Sequence, residues 1–251
     1  MLELRDVSAG YGKKQVLHRI TATLSAGELT AVLGPNGSGK STLLKTALGL
    51  LPLSGGQILL DGEPVVPNAP ERMARKIAWL PQEKQGANMT AEQLVLCGRF
   101  PHLRYPRRYR QEDRQIAMEA MERLGIGHLA QRPLYTLSGG QRQSVYVAMA
   151  LAQDTDWILL DEPTTFLDIA GSFALMDTLK ELTRQGKGVA AVLHDLPLAM
   201  EYADRVLILD KGKVAGAGTP EEVCAAGTPD RVFGIRLEKN QYGYICRPDR
   251  G

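Results

Sequence analysis

The chain has 251 residues, 30 Lys+Arg against 28 Asp+Glu, a formal net charge of +2 and 44% hydrophobic residues. This is enough chain for one large domain, or one and a half, whose core needs no staples, and the near balance of charge speaks against nucleic acid bound through the overall field. Cys97, Cys224 and Cys246 stand singly with no Cys-x-x-Cys spacing, which argues against a disulfide framework or a zinc knuckle and fits a reducing compartment.

The opening Met1-Leu-Glu-Leu-Arg-Asp has no basic leader before an apolar stretch, and no apolar run is long enough to span a bilayer. The chain is therefore expected to be neither secreted nor membrane-spanning, so that any action at a membrane would go through a partner. Leu29 to Leu33 reads as a short buried strand, followed by a glycine-rich loop and a helix over 41–51. Gln57 to Leu60, Asp61-Gly62 and Glu63 to Val66 read as a hairpin. Ile77 to Leu80 is a further strand. From Thr90 to Ala152 the period is helical, with Thr90 and Gln93 at capping-box spacing. Buried-type strands resume at Trp157 to Leu160, Val189 to Leu193 and Val206 to Leu209, separated by helical or loop sequence such as 169–185. Alternating apolar runs and helices imply a mainly parallel sheet. Thr219-Pro220 starts a helix, and a terminal hairpin is expected around Tyr242-Gly243.

Gly34-Pro35-Asn36-Gly37-Ser38-Gly39-Lys40-Ser41-Thr42 fits the G-x-x-x-x-G-K-[ST] pattern after a strand and at the opening of a helix. Glycines let successive N–H groups face a phosphate chain, the helix start adds partial positive charge, Lys40 reaches the terminal phosphates and Ser41 suits magnesium. Trp157-Ile-Leu-Leu-Asp161-Glu162-Pro163 puts two carboxylates at the end of a buried strand, where charge is costly without a cation. Mg2+ with nucleotide answers that cost. Asp161 would then hold the ion directly or through water, and Glu162, one residue on, would orient and deprotonate the attacking water. Gln82 and His194 also follow strands, so four segments converge on the carboxyl edge of the sheet. Gln82 is expected near water or metal, and His194 near the γ-phosphate.

Leu137-Ser138-Gly139-Gly140-Gln141 opens another helix, with Ser138 and Gln141 at capping-box spacing. A cap does not require two glycines, each of which weakens a helix by about 1 kcal/mol relative to alanine. Bare backbone at a helix start instead suits an anion. The Gly34 loop already supplies one such site, so the second needs a purpose.

These segments together resemble the ATP-binding subunits of ABC transporters, in the expected order and over essentially the whole chain. GPNGSGKST resembles the Walker A loop, LSGGQRQ the signature, WILLDEP the Walker B strand, TTFLD the D-loop and LHD the switch histidine. The resemblance implies an α/β fold: a P-loop NTPase core with a mainly parallel sheet and an antiparallel β part over residues 1–86 and 154–251, and an inserted α-helical subdomain over 87–153. It implies ATP and Mg2+ as cofactors, with Ser41, Gln82 and Asp161 at the metal and Glu162, His194, Gln82 and Lys40 as catalytic residues. It implies a head-to-tail homodimer in which Ser138 and Gly140 of one copy close on the γ-phosphate held by Lys40 of the other, which gives the second anion site its purpose. Tyr11 resembles the aromatic that stacks on adenine, and Asp168 the residue that couples the two sites.

Cys97-Gly-Arg-Phe-Pro-His102, DEPTTFLD and His194-Asp-Leu resemble the ATPases of bacterial importers for ferric siderophores, haem and cobalamin. That implies a peripheral position on the cytoplasmic face of the inner membrane, transmembrane permease subunits as partners and a solute-binding protein acting indirectly. The alternatives are an ABC-type regulator acting on nucleic acid or ribosomes, which usually has tandem cassettes or coiled-coil insertions absent here, and an exporter ATPase. Ser144, Phe166 and Pro197 depart from the usual residues without removing a catalytic group. Arg99, Arg104, Arg107, Arg108, Arg110 and Arg114 form a basic run, read as a solvated face or as a contact for acidic permease groups or anionic headgroups.

Overall fold

The computed structural model describes residues 1–66, 70–82 and 88–248. Two long strands, β1 (Leu2–Tyr11) and β2 (Lys14–Leu24), pair antiparallel at the N-terminus. β3 (Leu29–Leu33) runs into the glycine-rich loop and α1 (Lys40–Ala47). That helix stops short of Leu51, because Gly49 and Leu50 donate back to Thr46 and Lys45 and close its last turn. β4 (Leu53–Leu60) and β5 (Glu63–Pro64) form a hairpin about the expected Asp61-Gly62 turn, its first strand starting earlier than Gln57 and its second ending at Pro64 rather than Val66, and join β1 and β2 in one antiparallel sheet of order β2-β1-β4-β5. β1 and β2 were not legible as strands, since their irregular pairing, with shifts near Val7 and Ala9, breaks the two-residue alternation.

After α2 (Pro70–Ala74) comes β6 (Ile77–Leu80), and then a stretch built from α3 (Ala91–Cys97), α4 (Gln111–Arg123) and α5 (Gly139–Ala152) with short 3-10 turns between. Thr90 closes the expected capping box with Gln93. The rest alternates: β7 (Trp157–Asp161), α6 (Ile169–Arg184), β8 (Gly188–Val192), α7 (Leu196–Tyr202), β9 (Arg205–Asp210) and β10 (Lys213–Gly218). α8 (Pro220–Ala225), α9 (Thr228–Phe233) and the hairpin β11 (Ile235–Asn240) and β12 (Gly243–Pro248) complete the chain.

The second sheet has order β10-β9-β3-β8-β7-β6, parallel throughout except for β10. Both of its faces are covered, which explains the unbroken apolar runs. Along β3, Leu29, Ala31 and Leu33 join the core shared with the helices, while Val32 joins the core shared with α1 and the antiparallel sheet. β7 alternates likewise, Ile158 and Leu160 to one side and Trp157 and Leu159 to the other. Among the described residues no helix is long and apolar enough to cross a membrane.

Candidate nucleotide site

Parallel pairing of β3, β8, β7 and β6 brings their carboxyl ends to one sheet edge, so Gly34, His194, Asp161 and Gln82 come out side by side. At Gly34, φ is 149° and an added Cβ would lie 2.2 Å from the Leu209 carbonyl oxygen, so no other residue fits this turn. Asn36 and Gly37 form the exposed tip of the loop, while Ser38, Gly39, Lys40 and Thr42 are buried. The Lys40 ammonium donates to the carbonyls of Gly34 (2.7 Å) and Pro35 (3.0 Å). Burial pulls its pKa below the usual lysine value, against the opposing pull of Glu162 and Asp161. A desolvated ammonium between peptide carbonyls has charge to spare for an anion.

Asp161 is only 1% exposed. Burial pushes its carboxyl above the usual range; a hydrogen bond from the Ser41 hydroxyl opposes this and the neighbouring Glu162 adds to it. Asp161 Oδ1 and Ser38 Oγ are buried without a hydrogen-bond partner. Unsatisfied buried oxygens are uncommon and call for an explanation. An oxygen-seeking divalent cation beside the Lys40 loop supplies one, and the Ser41 hydroxyl is a second hard donor at the same place.

Glu162 sits just beyond β7 with a positive φ of 55°, a sparsely populated conformation for a residue with a side chain. Its Oε1 accepts from Gln82 Nε2 at 2.8 Å and lies 2.7 Å from His194 Nε2, and Oε2 accepts from Thr165 at 3.3 Å. Burial alone would raise this carboxyl; the bonds from His194, Gln82 and Thr165 outweigh it and hold the group below the usual range. Residues just beyond the ends of β6, β7 and β8 thus meet at one carboxylate. The backbone around Glu162 is held by Gln143 of α5, whose amide donates to the carbonyls of Pro163 (2.7 Å) and Glu162 (3.3 Å). Gln143 escaped the sequence reading. Its signal was a polar residue four before buried Val147, on the inner face of an otherwise apolar helix.

Ser138 accepts from the Gln141 N–H at 3.2 Å while Gln141 Oε1 accepts from the Ser138 N–H at 3.1 Å, closing the capping box. Ser138 and Gly139 face solvent, and first-turn N–H groups have no partner within the helix. Among the described residues no hydrogen bond or ion pair joins this turn to the Lys40 loop of the same protomer. Gly140 has a further reason to be glycine, since a Cβ there would lie 2.9 Å from the Phe166 carbonyl oxygen. Phe166, another unforeseen neighbour, packs over this turn with φ 71°. Ser144 donates to the Gly140 carbonyl at 3.2 Å, so its hydroxyl is used inside the helix.

Asp168 caps α6, accepting from the Gly171 N–H at 2.7 Å. Tyr11 is exposed at the end of β1, on a hairpin whose Val16 and Leu17 pack at Gly39. The basic run is less uniform than its spacing implied. Arg99 is buried, bonded to Asp113 (3.2 Å) and to the Ala152 carbonyl (2.9 Å), so it belongs to the packing of α3, α4 and α5. Arg107 pairs with Glu71 and stacks on Phe100, and Arg114 pairs with Glu92. Arg104, Arg108 and Arg110 remain exposed beside Tyr105.

The ABC transporter family profile matches residues 17–165. The chain is 43% identical over 233 residues to the ferric enterobactin transport ATP-binding protein FepC of Escherichia coli (strain K12), covering 92% of this chain and 86% of that one. It is 39% identical over 245 residues to the hemin import ATP-binding protein HmuV of Myxococcus xanthus (strain DK1622), covering 94% and 91%. Among solved structures, a chain of an inward-facing transporter assigned to the metal-chelate type superposes with TM-score 0.81 at 27% identity, covering 98% of this chain and 95% of that one. The dimeric bacterial ABC transporter cassette MJ0796 superposes with TM-score 0.78 at 28% identity, covering 88% and 99%. On this profile match and these identities, the chain belongs to the ABC transporter family, among its ATP-binding subunits.

Proposed function

We propose that this chain is the ATPase of a bacterial ABC importer for a ferric siderophore, haem or cobalamin, working as a homodimer against transmembrane permease subunits from the cytoplasmic face of the inner membrane. The observation that carries the chemistry is the meeting of Gln82, Glu162 and His194 at one oxygen, beside a buried lysine and an unsatisfied buried carboxylate oxygen. The siderophore and haem relatives, with the metal-chelate type neighbour, support the cargo class.

In this reading the Gly34–Thr42 loop and the start of α1 wrap the phosphates of ATP through backbone N–H groups, with Lys40 on the terminal phosphates. Asp161, Ser41 and Gln82 would hold Mg2+, which when bound neutralises charge developing on the phosphate oxygens. Glu162 accepts the proton of the attacking water. Gln82 orients that water, and His194 turns from Glu162 towards the γ-phosphate. Tyr11 stacks on the adenine. The solvent-facing turn Ser138, Gly139, Gly140 and Gln141 closes on the ATP of a second protomer, and Asp168 stands at that junction. The α/β core with its antiparallel β part, residues 1–86 and 154–251, carries ATP, while 87–153 is a helical subdomain presenting Arg104, Tyr105 and Arg108 to the permease; the boundary at 86/87 lies outside the described residues.

The test is Glu162→Gln. The variant should bind ATP as the parent does, lose turnover by a factor of roughly a hundred or more, and accumulate as a dimer with Mg-ATP. Steady-state hydrolysis at the parent's rate would overturn the assignment of the base.

A further inference from the structure

A groove of about 670 Å³ runs between the segment after Glu162, α7 and the turn of the C-terminal hairpin, with Thr165, His194, Ile169, Phe173 and Tyr242 among its lining residues. The hairpin is firmly based. Tyr244 is buried in the core, its hydroxyl donates to Glu221 at 3.2 Å, and Lys239 lies 2.7 Å from the same carboxylate oxygen. The Leu237 N–H donates to Asp230 at 2.9 Å, and within the turn the Tyr242 N–H donates to Asn240 at 2.8 Å. Yet the Tyr242 ring is left 86% exposed, with Ile169 at 79% and Phe173 at 46% along the same groove.

A rigidly mounted aromatic beside other exposed apolar side chains marks a contact surface. The identity of the occupant follows from what borders the groove. Thr165 and His194 both bond to Glu162, and Asp168 caps the helix that carries Ile169 and Phe173. The groove is therefore continuous with the face proposed to close on a second protomer. A two-fold interface must be self-complementary, and this face carries both parts, a projecting ring and a groove bordered by the exposed Ile169 and Phe173 among polar Thr165, Ser172 and Glu201.

We infer that in the closed dimer Tyr242 of each protomer packs against the Ile169–Phe173 recess of its partner, so that the C-terminal hairpin reports on and stabilises closure. The inference rests on the proposed ATP-closed homodimer. It assigns the hairpin a binding role that none of the nucleotide-site residues supplies.

The test is sedimentation velocity of the Glu162→Gln chain with Mg-ATP across a protein concentration series, with Tyr242→Asp, Ile169→Asp and Tyr242→Phe added singly. The two aspartate variants should raise the dimer dissociation constant ten-fold or more, while Tyr242→Phe keeps the parent's value and all three keep the parent's thermal midpoint and monomer ATP affinity. Parent-like dimerisation by both aspartate variants would overturn the contact, and so would a loss confined to permease co-purification. Failure of the Glu162→Gln chain itself to dimerise is a different result, and it removes the ATP-closed homodimer along with the contact.

Discussion

His194 Nε2 lies 2.7 Å from Glu162 Oε1, the same oxygen that accepts from Gln82 at 2.8 Å. Two strand ends on either side of β7 therefore hold one carboxylate below the usual pKa range. Removing one of those bonds must let the carboxyl rise. His194→Ala should move the acid limb of the kcat/KM profile for ATP hydrolysis to higher pH, because Glu162 then needs a higher pH to ionise, and should lower kcat by roughly ten- to a hundred-fold. A lower rate with an unmoved acid limb would contradict the coupling.

Gln143 fixes the strained turn at Glu162 through two carbonyls, at 2.7 and 3.3 Å. Gln143→Ala leaves buried acceptors unmet and should cost about 1–3 kcal/mol in denaturant unfolding. It should also reduce kcat more than KM, because Glu162 loses its support while the Lys40 loop is untouched. Equal turnover in a destabilised protein would reduce Gln143 to packing alone.

Asp161 Oδ1 has no partner and its carboxyl is buried. Asp161→Asn removes a buried charge, so without nucleotide the variant should melt at or above the parent's temperature. The stabilisation that Mg2+ adds in the presence of ATP should disappear in the same variant. Thermal scans with and without Mg-ATP read both effects, and an undiminished metal-dependent shift would exclude Asp161 from the metal site.

The Glu221 carboxyl, bonded to Lys239 and Tyr244, is lowered from 4.5 to about 2. Its contribution to the hairpin is complete above its ordinary value and fades as the pH falls towards the lowered one. Glu221 is mostly exposed, so the contribution stays below about 1 kcal/mol. The gap in Tm between the parent and Glu221→Gln should narrow between about pH 5 and about pH 3. A gap constant with pH would show that the carboxylate charge does not matter there.

The parallel sheet was legible because strands covered on both faces must be continuously apolar, and Leu29–Leu33, Ile77–Leu80 and Trp157–Leu160 are. The phosphate loop was legible because a backbone cradle needs its glycines at set spacing. β1 and β2 were not, since their bulges break the alternation. Arg99 looked like one more basic surface residue, because nothing local reveals that Asp113 folds back to meet it. Gln143 and Phe166 act across chain separations that no motif spans. Gly140 shows the limit on the other side: its place in the signature suggested an anion site, and the approach of the Phe166 carbonyl is an additional constraint visible only once the chain is folded.

A nucleotide enclosed by two protomers needs Lys40 from one and Ser138 from the other. The most direct test mixes two inactive proteins in the Glu162→Gln background, one carrying Lys40→Ala and the other Ser138→Arg. Each alone should remain monomeric with Mg-ATP, whereas the mixture should form dimers that hold ATP at the one site where both native residues meet. A mixture showing no more dimer than the two separate samples would contradict the shared site.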